Sequence, residues 1–332
     1  MSNPLSYPPL FRTQDLTPPA HQPDPAHSPD PLPIIDPAHS PSPALSSACR
    51  DLGIFRLINH GIPANLLNSL KDHVKRLFDL DFESKKELFG GDVVSYFWGT
   101  PALTSSGDEM RRGVRRVDWV EGFNVRVGEA VEGSGGGGDD ALVVEFRDLL
   151  EEYGRHMSRL ARTIFEAMIS SLGIEFQRHE NFLDESTGLF RVYRYPPGSV
   201  ADEEVKGMEE HTDSSVLSIL MPNEIAGLEF FKDDSWVLVE PVADSLIVNL
   251  GDMMQAISND EFKSVKHRVR LNRNHESSRV SICYFVFTED SCLIRSSMYK
   301  PFSYADFHAQ VEQDIANLGY KVGLDRFKLP GQ

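Results

Sequence analysis

A mostly β core with flanking α-helices, closed as a sandwich or jelly-roll barrel, is the fold class that the sequence predicts. Three observations predict it. Between Leu189 and Phe287, seven short strand-like runs follow one another with turn residues between them. So many strands in about 100 residues indicate a sandwich or jelly roll. Ahead of them, apolar residues from Leu142 to Met168 recur at helical spacing, which predicts one long helix packed on a core. Finally, 40 % of the chain is hydrophobic, enough for a sizeable interior.

Taken in order, the first element is a tail. Thirteen of the 21 prolines fall before residue 44. Proline fixes φ and lacks a backbone donor, so residues 1–31 read as a flexible Pro-rich tail. An N-terminal mixed α/β region is expected over 32–140, and the long helix with the β core over 141–332, the two packed as one unit. Order begins with the short strand Leu32-Pro33-Ile34-Ile35-Asp36. A helix from Leu45 to Leu52 and a strand from Ile54 to Ile58 follow, stopped by Asn59-His60-Gly61. His60 reads as structural. Pro63 suits the first turn of the next helix, which carries Leu66, Leu70, Val74 and Leu77. Residues 90–140 show no clear period; they hold Trp119, the basic run Arg111, Arg112, Arg115 and Arg116, and a glycine-rich loop over 133–138.

The expected strands are Leu189–Tyr195, Ser215–Leu220, Leu228–Phe231, Trp236–Val239, Leu246–Asn249, Ser264–Val269 and Arg279–Phe287. Lys232-Asp233-Asp234-Ser235 reads as a hairpin turn. A last helix starts at Ser303, with Asp306 three residues on, and ends at Gly319.

Composition excludes several function classes. The net charge of −17 opposes a polyanion, so no nucleic-acid partner is expected. No apolar run is long enough for a membrane span, and no secretory signal is evident, so no membrane partner is expected and the cytoplasm is the expected location. Three cysteines, Cys49, Cys283 and Cys292, without CxxC spacing argue against a disulfide framework or structural zinc. The oligomeric state is left open.

The chemistry lies in the β region. His211-Thr212-Asp213 places an imidazole and a carboxylate two residues apart; on a strand they share a face. His267 comes 54 residues after Asp213. Two histidines and one carboxylate form the facial triad of non-haem iron(II), which leaves coordination positions open. Twelve residues beyond His267, Arg279 and Ser281 share another strand face. A guanidinium fork beside a hydroxyl suits the far carboxylate of a dicarboxylic keto acid. Tyr195, before Pro196-Pro197, can donate to the same molecule.

On these residues the chain resembles the plant-type 2-oxoglutarate/iron(II) dioxygenases, among them the gibberellin oxidases, flavonoid dioxygenases and the ethylene-forming oxidase. The resemblance runs from Leu32 to Leu318. It rests on Pro33-Ile34-Ile35-Asp36, Gly53-Ile54-Phe55-Arg56-Leu57-Ile58-Asn59-His60-Gly61-Ile62 and His211-Thr212-Asp213-Ser214-Ser215. It continues through Gly227-Leu228-Glu229, Val248-Asn249-Leu250-Gly251-Asp252, Ser264-Val265-Lys266-His267-Arg268-Val269 and Arg279-Val280-Ser281. It implies a double-stranded β-helix, that is, a cupin-like jelly-roll barrel. It also implies iron(II) on His211, Asp213 and His267, 2-oxoglutarate on Arg279, Ser281 and Tyr195, O2 as oxidant and ascorbate as reductant. No side chain beyond the metal centre is implied as a catalyst. The sequence departs from the family at Tyr193, where asparagine is usual.

The segments Trp119-Val120-Glu121-Gly122-Phe123 and Arg194-Tyr195-Pro196-Pro197 are most similar to gibberellin oxidases, nearest the 2-oxidases that inactivate the hormone. The implied substrate is a small, hydrophobic, acidic molecule, a gibberellin attacked at the 2β position. Candidate lining residues are Tyr96, Phe97, Trp98, Met253, Met254 and Phe287, with Arg115 or Arg116 paired to a carboxylate. The same chemistry on a flavonoid, another hormone or a specialised metabolite is the alternative. A non-catalytic cupin-like binding protein is the alternative of another class, but it has no use for the triad and the Arg279–Ser281 pair together. A zinc hydrolase leaves that pair unexplained and lacks a general base.

Overall fold

The computed structural model describes residues 4–9, 32–39, 43–91, 94–99, 118–126, 140–173, 182–197, 206–272 and 277–331. The N-terminal region gives β1 (Ile34–Ile35), α1 (Pro43–Asp51), β2 (Ile54–Leu57), α2 (Ala64–Phe78), α3 (Phe82–Leu88), β3 (Val94–Trp98) and β4 (Glu121–Arg126). Then come α4 (Ala141–Leu172), β5 (Asp184–Tyr195), β6 (Met208–His211), β7 (Leu217–Pro222), β8 (Leu228–Lys232), β9 (Ser235–Leu238) and β10 (Leu246–Leu250). The chain closes with α5 (Asp252–Ile257), β11 (His267–Val269), β12 (Arg279–Phe287), β13 (Leu293–Ile294), β14 (Phe302–Ser303) and α6 (Tyr304–Leu318). Among the described residues, no helix is long and apolar enough to cross a membrane.

Two sheets form the core. The larger has the order β1-β2-β10-β7-β12-β5-β4-β3, and the smaller β6-β11-β8-β9. Every pairing is antiparallel except β1 with β2. Because β2 pairs with β10 and β4 with β5, the N-terminal region supplies four strands of the large sheet. The side-chain period of two gives each strand one residue for each side. One face packs against the helices, through Phe123, Phe190, Val192, Ile282 and Tyr284 with Phe146, Tyr153 and Met157 of α4. The other contributes Ile54, Tyr193, Leu220, Ile247 and Cys283, which meet Met208, Leu228, Phe230 and Val269 of the small sheet. The site is built in this second layer.

The helix ends follow their sequence signals. Asp140 accepts the Leu142 amide at 2.8 Å and Gly173, in the left-handed region, ends α4. Ser303 and Asp306 form a capping box on α6, as that spacing predicts.

Residues 4–9 depart from the expected flexible tail. Pro4–Ser6 forms a 3-10 turn, and Tyr7 is buried against Trp98 and Trp119. The cause is a charge cluster inside the protein. Lys85 Nζ, fully buried, donates to Glu121 Oε2 at 2.6 Å and to the Ser6 carbonyl at 3.0 Å. Arg194 pairs with the other oxygen of Glu121 and reaches Ser6 Oγ at 3.3 Å. Two cations share one carboxylate, and buried charges need every partner within reach; Ser6 supplies two. Burial pulls the Lys85 ammonium down to about 8, against the pull of Glu121.

Candidate active site

His267 opens β11 directly opposite His211 at the end of β6, so the two rings stand 4.3 Å apart. Asp213 is not on that strand. β6 stops at His211, and the expected shared strand face is corrected: it is the turn after the strand that brings the carboxylate back. Asp213 Oδ1 lies 3.8 Å from His211 Nε2 and 3.7 Å from His267 Nε2. One ligand atom from each of the three residues lies within 4.8 Å of the others, a fit for a single metal ion.

The surroundings orient each ligand. Nδ1 of His211 donates to the Glu209 carbonyl at 2.8 Å, and Nδ1 of His267 to the Val265 carbonyl at 3.1 Å. With the proton fixed on Nδ1, each Nε2 keeps its lone pair for a metal. Ser218 Oγ donates to Asp213 Oδ2 at 2.8 Å, leaving Oδ1 toward the histidines. Burial and the neighbouring His267 pull the His211 imidazolium down to about 4, against Asp213. Burial alone would raise the Asp213 carboxyl, but His267, His211, the Ser218 hydroxyl and Lys321 hold it below its ordinary value. At neutral pH His211 is therefore a neutral imidazole beside the ionised Asp213 carboxylate.

β12 and β5 lie side by side, with Arg279 opposite Tyr195, Ser281 opposite Tyr193 and Cys283 opposite Arg191. Arg279 is 2 % exposed and Ser281 1 %. Even so, Nε and Nη1 of Arg279 and Oγ of Ser281 have no hydrogen-bond partner among the described residues. Buried donors left open are rare and costly. Their positions and chemistry fit the far carboxylate of 2-oxoglutarate. The Arg279 guanidinium sits 4.8 Å from the centre of the Tyr195 ring and donates to the Tyr195 hydroxyl oxygen, so Tyr195 braces the arginine.

The other sequence candidates divide. Phe97 faces the site: it lies across Gly122 from Tyr193, 5.9 Å ring to ring. A Cβ at Gly122 would fall 2.5 Å from the Phe97 ring, so only glycine admits it. Tyr96 and Trp98 take the opposite strand parity and point to the helix side. There Tyr96 donates to Glu121 at 2.6 Å and Trp98 packs on Tyr7; neither lines the site. Met253 and Met254 are fully buried in the helix-side core. Phe287 packs on Tyr304 at 4.8 Å. Arg115 and Arg116 lie outside the described residues.

Sequence reasoning missed Arg191. It is partly exposed, carries an unpartnered Nε, lies 5.5 Å from the Phe285 ring centre and feels both Tyr193 and Asp213. The strand parity of Arg191, Tyr193 and Tyr195 was the signal that could have found it.

Comparison with known proteins agrees with this geometry. The 2OG-Fe(II) oxygenase superfamily model matches residues 186–288. The N-terminal model of non-haem dioxygenases in morphine synthesis matches residues 32–136. Gibberellin 2-beta-dioxygenase 8 of Arabidopsis thaliana is 33 % identical over 288 residues, covering 86 % of this chain and 80 % of that protein. Codeine O-demethylase of Papaver somniferum is 31 % identical, covering 76 % and 71 %. The solved structure of JOX2 in complex with 2OG, Fe and JA superposes with a TM-score of 0.72 at 23 % identity, covering 90 % of this chain and 89 % of that one. The jelly-roll fold, the iron and the 2-oxoglutarate are thus shared with its relatives, and the chain belongs to the 2-oxoglutarate/iron(II)-dependent oxygenase family.

Proposed function

We propose that the protein hydroxylates a small, largely apolar carboxylic acid, with a gibberellin attacked at the 2β position as the leading substrate and the cytosol as its place of action. The observation that carries the acid is Arg191, a cation with an open donor among Phe285, Tyr193 and Tyr304 on the face that also bears Arg279 and Ser281. An arginine set among rings suits a carboxylate on an apolar body. The likeness to gibberellin 2-beta-dioxygenases at 33 % identity supports the gibberellin. A likeness of similar strength to a codeine O-demethylase keeps another specialised metabolite as the second reading.

The residue roles follow. His211, Asp213 and His267 would hold iron(II). Arg279 and Ser281 anchor the far carboxylate of 2-oxoglutarate, with Tyr195 fixing the guanidinium. Iron, 2-oxoglutarate and O2 together supply C–H hydroxylation coupled to decarboxylation of the keto acid. Arg191 binds and orients the substrate acid, while Phe97, Phe285 and Phe287 exclude water from its apolar body. No side chain serves as a general base, and ascorbate acts as an external reductant.

The test is product analysis with gibberellins, flavonoids and other acids, run beside Arg191→Gln. A charge-assisted hydrogen bond contributes about 1.5–3 kcal/mol. Arg191→Gln is therefore expected to raise KM for the acid about 10- to 150-fold while leaving substrate-free succinate formation intact. An unchanged KM refutes the role of Arg191; turnover of neutral compounds alone refutes the acid.

A further inference from the structure

Because β6 ends at His211, no ladder hydrogen bond fixes the path from His211 to Asp213. Something else must hold that turn, and the contacts show what does. Lys321, in the segment after α6, reaches across more than 100 residues of sequence. Its Nζ donates to the Thr212 carbonyl at 2.8 Å and to Ser214 Oγ at 2.9 Å, the residues on either side of Asp213. A third contact, at 2.7 Å, goes to Asp252 Oδ2. An ammonium has three donors, and all three are used here.

Asp252 completes the clamp. Its amide donates to the Asp213 carbonyl at 2.8 Å, and its Oδ2 accepts Thr212 Oγ1 at 3.2 Å. Both side chains are shielded, Lys321 at 15 % and Asp252 at 5 % exposure. The approach is close: a Cβ at Gly251 would stand 2.1 Å from the Ser215 carbonyl oxygen. The segment that carries Lys321 is itself anchored. Arg326 pairs with Asp314 of α6 at 2.8 Å, and Lys300 donates its amide to the Phe327 carbonyl at 2.8 Å.

We propose that Lys321 is a positioning residue of the metal centre: it locks the His211–Ser214 turn so that His211 and Asp213 converge before metal arrives. The C-terminal segment is then part of the metal site without touching the ion. The proposal rests on His211, Asp213 and His267 as the ligands and is independent of the substrate.

The experiment titrates the full-length, metal-free protein with Co(II) and records the dissociation constant, the visible Co(II) spectrum and the Tm. Partners that orient metal ligands typically change affinity about 10- to 100-fold when removed. Lys321→Met is expected to weaken Co(II) binding by that factor and to shift the spectrum, with Lys321→Arg in between. The double variant Lys321→Met/Asp252→Asn removes the unbalanced carboxylate and is expected to stay weak. Parental affinity and spectrum in Lys321→Met overturn the proposal, whatever happens to Tm, as does full recovery in the double variant. Should Lys321→Met not fold, Ser214→Ala removes one contact and no charge; a severalfold loss supports the proposal and parental affinity overturns it. His211→Ala is the separate control: if it binds Co(II) like the parent, the ligand assignment itself has failed.

Discussion

Replacing Arg279 with methionine is expected to stabilise the protein while removing its cosubstrate site. The buried guanidinium leaves Nε and Nη1 without partners, and an unmet buried donor costs about 1–3 kcal/mol. Against that stand the contact with the Tyr195 ring, about 0.5–2 kcal/mol, and the hydrogen bond that Arg279 donates to the Tyr195 hydroxyl oxygen, about 1 kcal/mol. Methionine fills a similar long, narrow volume with apolar atoms. The balance is a gain of about 1–2 kcal/mol, or roughly 1–3 °C in Tm for a chain of this size. Ligand reverses the order. At 100 times its Kd, 2-oxoglutarate adds about 2.7 kcal/mol to the parent and nothing to the variant. The assay is thermal unfolding with and without 2-oxoglutarate, with Mn(II) in place of iron. A variant less stable than the parent without 2-oxoglutarate, or one that 2-oxoglutarate still stabilises, refutes the reasoning.

Three further outcomes are expected. Burial, with Glu209 nearby, raises the Asp118 carboxyl to about 7, so the folded state holds that proton more tightly than the unfolded one. The resulting stability is complete below about pH 4 and is lost as pH rises through 7. Asp118→Asn should abolish that decline and exceed the parent at pH 8 by up to about 4 kcal/mol, read from urea unfolding at pH 5 and pH 8. Ser218→Ala frees Asp213 Oδ2 from its donor and should weaken metal binding about 10-fold, measured by Co(II) titration. Tyr7→Ala empties the pocket between Trp98 and Trp119 and should cost about 2–4 kcal/mol; an unchanged Tm would mean that residues 4–9 do not dock in solution.

The site was legible where chemistry forces residue types together. A facial triad needs two histidines and a carboxylate, and Arg279 with Ser281 marks an acid-binding face; both stand in the sequence. The local reason given for Asp213 was wrong, because a dipeptide spacing does not reveal where a strand stops. Strand parity could have separated Phe97 from Tyr96 and Trp98 and revealed Arg191, but the strand over 94–98 has no alternating pattern: from Ser95 to Trp98 both of its faces are half-buried, one toward the helices and one toward the site. Lys321 and Ser6 were illegible for another reason. Each acts through contacts with residues far away in sequence, and nothing in its own neighbourhood predicts them. The proline-rich composition of the tail hid a six-residue stretch that a buried pair of cations recruits.

The central claim is tested most directly by succinate release from 2-oxoglutarate. The protein is reconstituted anaerobically with iron(II), exposed to O2 and the substrate panel, and compared with Asp213→Asn and Arg279→Met. The account predicts succinate that requires iron(II), rises with an acidic apolar substrate and disappears in both variants. Folded, iron-loaded protein that releases none, or variants that release as much as the parent, would contradict it.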